Sequence, residues 1–279
     1  IMKQLTEEKI QAFEESLYLN EKSKATVSKY LRTVRKLAEY LQGKELTKPR
    51  LLEYREILQN QVKAQTVNGT LSSINAFLEF CGWHDCKIKL LKVQRKAFLD
   101  ETRELSEAEY KQLLAAAQAK GNERLYLVML TICGTGIRVS ELQHITVEAA
   151  QTGRAEICMK GKNRTVLLQK ELRTRLLKYA KKLGIDEGHI FRTRSGKPLD
   201  RTNICHDMKK LCASAKVDPR KVFPHNLRHL FARSFYAIEK NLAHLADILG
   251  HSRIETTRIY VAASATAHER ILNKMKLIL

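Results

Sequence analysis

At 279 residues the chain has room for one large domain or two modest ones, each able to bury a core. Fifty lysines and arginines against thirty acidic residues leave a formal charge of +20, an excess suited to a polyanion such as nucleic acid or an anionic membrane surface. No apolar run approaches the roughly 20 residues a spanning helix needs, and the polar opening does not resemble a secretory leader, so no membrane partner is expected.

The six cysteines, at 81, 86, 133, 158, 205 and 212, show no paired framework. Neither Cys81-His84-Cys86 nor Cys205-His206-Cys212 has the ligand spacing of a zinc finger. No metal and no cofactor are expected, and a reducing cytoplasm is the expected home.

Residues 1–92 read as helices only. Val27, Tyr30, Leu31, Val34, Ala38 and Leu41 recur at three- and four-residue steps and form one apolar stripe. The other face carries Lys22, Lys24, Lys29, Arg32, Arg35 and Lys36. Of these, Lys24, Lys29, Arg32, Arg35 and Lys36 are candidate phosphate contacts, the plain alternative being a solvated surface. A second helix is expected from Thr47, with Pro49 in its first turn. A third carries Val67, Leu71, Ile74, Phe77, Leu78 and Cys81.

Periodicity then fades in a stretch rich in Lys and Arg, placing a linker over 93–103 and a second domain over 104–279. That domain opens with the capping box Ser106-x-x-Glu109. An almost wholly apolar helix is expected from Arg124 to Cys133, broken by Gly134-Thr135-Gly136 just before Arg138, which is placed at the start of another helix. From Ala155 to Leu168 the pattern suits a β-hairpin with Lys160-Gly161-Lys162-Asn163 as its polar tip. Helix returns over 170–183, His189-Ile190-Phe191 suits a short strand, and the remainder is helical, ending over 266–277. The fold class is therefore mainly α with a small β-hairpin, an α+β chain of two domains.

The last third holds residues suited to one chemistry. Cleaving a phosphodiester without a metal requires protein cations to stabilise the charge spreading over the non-bridging oxygens. Arginine suits this because its planar fork grips two oxygens and stays charged. Arg138 and Arg228 are the candidates. His225 lies three residues before Arg228, so a helix opened by Pro224 puts both on one face. His251 follows Gly250, where its ring can meet a phosphate oxygen or carry a proton. Tyr260, nine residues later, is a candidate nucleophile, although a phenol with its ordinary pKa of about 10 needs neighbouring cations and a proton acceptor. A lysine on the hairpin tip can protonate the departing hydroxyl. Taken singly, each of these is more simply a surface cation, a packing histidine or a tyrosine straddling core and solvent.

Taken together, Gly136-Ile-Arg138-Val-Ser-Glu141-Leu, His225-x-x-Arg228, Leu249-Gly250-His251 and Tyr260 resemble, in order and spacing, the tyrosine recombinase (phage integrase) family from about 104 to 262. The resemblance implies catalytic roles for Arg138, Lys160, His225, Arg228, His251 and Tyr260, with Glu141 in support. Its hairpin is about one residue shorter than the family's. Aligning the Lys-Gly step makes Lys160 the general acid, whereas anchoring on Arg164-Thr-Val166 leaves Lys162. Lys160 is preferred, and Lys162 and Arg164 are then DNA contacts. Residues 1–92 resemble the family's SAM-like core-binding domain.

The resemblance further implies a C-shaped clamp on double-stranded DNA at specific core sites. Tyr260 would form a 3′-phosphotyrosine, strands would exchange through a Holliday junction, and a tetramer would act on two sites, with integration and excision of a mobile element as the expected setting. A C-terminal segment with Ile271, Leu272, Met275, Leu277 and Ile278 would dock on its own or a neighbouring subunit. Two readings compete with recombination, a type IB topoisomerase and a non-catalytic DNA-binding module of the same fold. A metal-dependent nuclease would need clustered carboxylates, and no convincing arrangement of them is seen.

Overall fold

The computed structural model describes residues 2–93, 101–159, 162–193, 195–261 and 274. The expected linker is thus described only in part, and Lys160 and all of the expected 266–277 helix except Lys274 lie outside the described residues. The chain divides into two compact units, Ile1–Arg95 and Lys96–Leu279.

The first unit contains α1 (Glu7–Leu19), α2 (Lys24–Leu41), α3 (Lys48–Gln61) and α4 (Ala64–Phe80). Ser23 caps α2 by accepting from the Thr26 amide, and Gln42 ends it in the left-handed region. The buried stripe of α2 is Val27, Leu31, Val34, Leu37 and Leu41, so Leu37 belongs to it, while Tyr30 and Ala38 lie at its edges. Burying each such aliphatic side chain contributes about 1.5–3 kcal/mol. Pro49 sits in the first turn of α3, where its missing amide proton costs no hydrogen bond. The polar, helix-like opening of the sequence is α1, whose stripe is only Ile10, Phe13 and Leu17 among acidic neighbours. What holds α1 is packing, with the Phe13 ring meeting Phe77 of α4 edge-on at 5.3 Å. Lys24, Lys29, Arg32, Arg35 and Lys36 are all exposed, with Arg35 3.4 Å from Glu7.

The second unit is mainly helical around α6 (Glu123–Thr135), which packs against α5 (Glu107–Ala119) and later helices. The α5 capping box forms as written, Ser106 and Glu109 each accepting the other's backbone amide. A short α7 (Val147–Thr152) leads into β1 (Arg154–Met159) and β2 (Lys162–Leu167), an antiparallel pair. Met159 pairs with Lys162 and Cys158 with Asn163, so Lys162 and Asn163 belong to a strand and not to the tip. Only Lys160 and Gly161 lie between the paired residues. His189 makes an isolated bridge to Thr146 and is not part of a strand.

There follow α8 (Lys170–Lys182), α9 (Arg201–Lys209), α10 (Cys212–Ala215), α11 (Pro224–Ile238), α12 (Leu242–Leu249) and α13 (Ile254–Arg258). Arg138 precedes a 3-10 turn over Val139–His144, where the sequence suggests an ordinary helix. All six cysteines are free. Among the described residues no helix is long and apolar enough to cross a membrane.

Candidate active site

Two helix ends and one helix start converge on Arg228. Gly136 ends α6 and Gly250 ends α12, each with φ of +66°, a conformation favouring glycine. Both are also too crowded for a side chain. A Cβ on Gly136 would come within 2.4 Å of Phe231, and one on Gly250 within 2.7 Å of Arg164. The glycines thus turn the chain so that Arg138 and His251 enter the same site.

Arg228, on the first turns of α11, is 1% exposed. Its Nη1 donates to the Gly136 carbonyl at 2.6 Å and its Nη2 to the Leu249 carbonyl at 2.8 Å. Nη2 also lies 2.9 Å from His251 Nε2. Burial, then the Arg138 charge, lowers the guanidinium pKa to about 10, so it remains charged at neutral pH. Its hydrogen-bond partners are all neutral, and among the described residues no carboxylate forms an ion pair with it. Among the described residues Nε is buried without a hydrogen-bond partner. A buried cation in this state favours binding of an anion.

The His251 tautomer follows from its neighbours. Arginine can only donate, so Nε2 accepts and the proton sits on Nδ1, which donates to Thr257 Oγ1 at 2.8 Å. Thr257 is fully buried on α13, three residues before Tyr260. Tyr260 is itself 5% exposed and packs against Ala232, Leu245 and Leu249. Three imidazoles surround its ring, with centroids at 4.4 Å for His229, 5.4 Å for His251 and 5.6 Å for His225.

Burial, then Arg228 and Arg138, depresses His251 from its ordinary 6.5 to about 4. His225 is open to solvent along one side, yet desolvation of its packed side, then His229 and Arg228, also depresses it to about 4. Protonating His251 would remove the acceptor for Arg228 and set two cations together. Between pH 6.5 and 4 the unfolded chain therefore binds a proton that the folded site refuses, and stability rises with pH across that window. In DNA-free protein the melting temperature should fall on acidification from 6.5 to 4, and less steeply in His251→Gln. Identical slopes would remove His251 from the cause.

A second layer holds Arg138. Glu141 is 2% exposed, and its Oε2 accepts from the Arg138 amide at 2.7 Å. Arg138 Nη1 lies 2.9 Å from Oε1, and Arg164 Nη2 from β2 lies 2.6 Å from Oε2. Burial would raise the Glu141 carboxyl, but the Arg138 amide and the Arg164 and Arg138 charges outweigh it and hold it below the usual range. Arg164 also donates to the Ile248 carbonyl. The expected DNA contact at Arg164 thus faces inward and braces Glu141 and the end of α12, while Arg138 keeps 43% of its side chain exposed.

Arg138, Glu141, His225, Arg228, His251 and Tyr260 therefore gather in one place, joined by Arg164. Lys160 lies outside the described residues, and for Lys162 only the backbone is described. Thr257 and His229 were missed by sequence reasoning, although both neighbour assigned residues. The α2 cations belong to the first unit.

Residues 103–267 match the phage integrase family, and residues 10–84 match the SAM-like N-terminal domain of phage integrases. The tyrosine recombinase XerA of Thermococcus kodakarensis is 28% identical, with 97% of this chain and 96% of that protein covered. TnP I resolvase of Bacillus thuringiensis is 27% identical, with 94% and 98% covered. Among solved structures, a lambda integrase tetramer bound to a Holliday junction shares the fold, with a TM-score of 0.73, 18% identity and coverage of 92% of this chain and 77% of that one. A family model spanning more than half the chain settles membership, and this chain belongs to the phage integrase family of site-specific tyrosine recombinases.

Proposed function

We propose that Tyr260 cleaves DNA at a core site by attacking the scissile phosphorus. Its oxygen forms the new P–O bond as the bond to the 5′-oxygen breaks, leaving a 3′-phosphotyrosine and a 5′-hydroxyl. The phenolic proton passes to neutral His225, and Lys160 protonates the departing oxygen. Arg138 and Arg228 bind the non-bridging oxygens, where charge develops, and His251 holds the Arg228 fork in position for them. The 5′-hydroxyl of a partner strand then attacks the adduct, so strands exchange through a Holliday junction without an external energy source. The observation that carries this reading is the buried Arg228 guanidinium, which forms no direct ion pair among the described residues, beside the Tyr260 ring.

In this reading the SAM-like unit and the catalytic unit both bind the duplex, with the exposed α2 cations on the backbone. Four protomers act on two sites. The free thiols suit a reducing cytoplasm. The setting proposed is integration and excision of a mobile element. Resolution is the second reading, favoured by the nearly full-length likeness to TnP I resolvase.

The test is a supercoiled plasmid carrying two copies of the DNA flanking the encoding locus. Recombinant circles that require both copies are expected. Relaxation with no recombinants, independent of those copies, would instead mark a topoisomerase. Deletion between direct copies without joining of separate molecules would favour resolution.

A further inference from the structure

His229 follows Arg228 in α11 and is not used by the chemistry above. Its ring is nonetheless the nearest of the three imidazoles to Tyr260, at 4.4 Å. On its other side, Nδ1 lies 3.3 Å from Glu104 Oε1, with side chains 12% and 11% exposed. Neither Nδ1 nor the second Glu104 oxygen makes a hydrogen bond among the described residues, so the carboxylate meets the ring by charge and close packing. The second Glu104 oxygen lies 3.6 Å from Arg233, four residues further along the helix.

The chain on either side of Glu104 is fixed to the same helix. Asn226 Nδ2 donates to the Arg103 carbonyl at 2.7 Å, and Arg233 donates to the Leu105 carbonyl. Burial would raise the Glu104 carboxyl, but His229 and then Arg233 outweigh it and hold it below the usual carboxylate range, so it is ionised at neutral pH. A buried carboxylate is costly to desolvate, and filling space between α11 and residues 103–105 would need only an apolar side chain. The carboxylate instead meets the one imidazole closest to the nucleophile.

We infer that Glu104 and His229 form a positioning pair for strand cleavage. The carboxylate fixes the imidazole, and the imidazole fixes the Tyr260 ring so that its oxygen meets the phosphorus in line with the leaving oxygen. This deepens the proposed function and rests on Tyr260 being the nucleophile. Neither residue touches the reacting atoms. Their contribution is orientation, where a displacement near 1 Å can cost about a hundredfold in rate.

The test compares the native protein, Glu104→Gln, His229→Asn and Tyr260→Phe in single-turnover cleavage of nicked flanking DNA. Each is run on an ordinary phosphodiester and on a substrate whose leaving 5′-oxygen is replaced by sulfur. Sulfur departs without a proton, so that substrate relieves a missing general acid but not a misaligned nucleophile. Glu104→Gln should bind DNA with native affinity and form the adduct about 10- to 100-fold more slowly on both substrates. If Glu104→Gln does not fold, His229→Asn carries the same comparison. Native-rate cleavage overturns the pair, and so does a defect that the sulfur substrate repairs, because the pair would then serve the leaving group. An adduct persisting in Tyr260→Phe overturns the nucleophile and the pair together, which separates that failure from the pair's own.

Discussion

Arg228→Lys is expected to lower the rate of covalent adduct formation by about 10²–10³-fold, the usual cost of losing one well-placed donor at a developing charge. Lysine keeps the charge but presents it as a point, without the planar fork. It cannot reach the Gly136 and Leu249 carbonyls and His251 Nε2 together in the geometry that Arg228 uses. Each buried acceptor left without a donor costs about 1–3 kcal/mol, so a lower melting temperature should accompany the slower chemistry. Stopped single-turnover cleavage and a urea melt on the same variant measure the two effects. Native-rate cleavage would mean that the buried guanidinium is a structural post and not a phosphate ligand.

Glu141→Gln should act by a different route. The substitution keeps the shape but removes the charge that Arg164 meets at 2.6 Å and Arg138 at 2.9 Å. Breaking a buried pair costs about 3–5 kcal/mol when the partner charge is left uncompensated, and that figure applies to the enclosed Arg164. Half-exposed Arg138 adds little to stability because solvent screens it. It loses its fixed position, however, so cleavage should slow even where the variant remains folded. Adding salt should not restore it. A urea midpoint equal to the native one would show that Glu141 does not anchor this part of the site.

The resemblance was legible because its residues are fixed to local chain geometry. Gly136 and Gly250 end helices, Pro224 starts one, and the residues that follow must enter the site. What the sequence hid depends on distant partners. Arg164 reads as a hairpin cation, yet its partners Glu141 and Ile248 lie 23 and 84 residues away. Glu104 sits beside a capping box, and nothing nearby points to a histidine more than a hundred residues on. The hairpin tip is shorter than the sequence suggests because lysines and asparagine carry no register, which is set by cross-strand pairing. The bounds of α1 are less legible than its helical character, because three apolar residues make a weak stripe until Phe77 is placed against Phe13.

The central claim is that Tyr260 itself becomes joined to DNA without a metal. Nicked duplexes from the DNA flanking the encoding locus, incubated in EDTA without ATP, trap such an adduct because the cut end diffuses away. On a denaturing gel the native protein should give a slow-migrating protein–DNA band, absent from Tyr260→Phe although that variant still binds. A band that persists in Tyr260→Phe, or that requires Mg²⁺, would contradict the account.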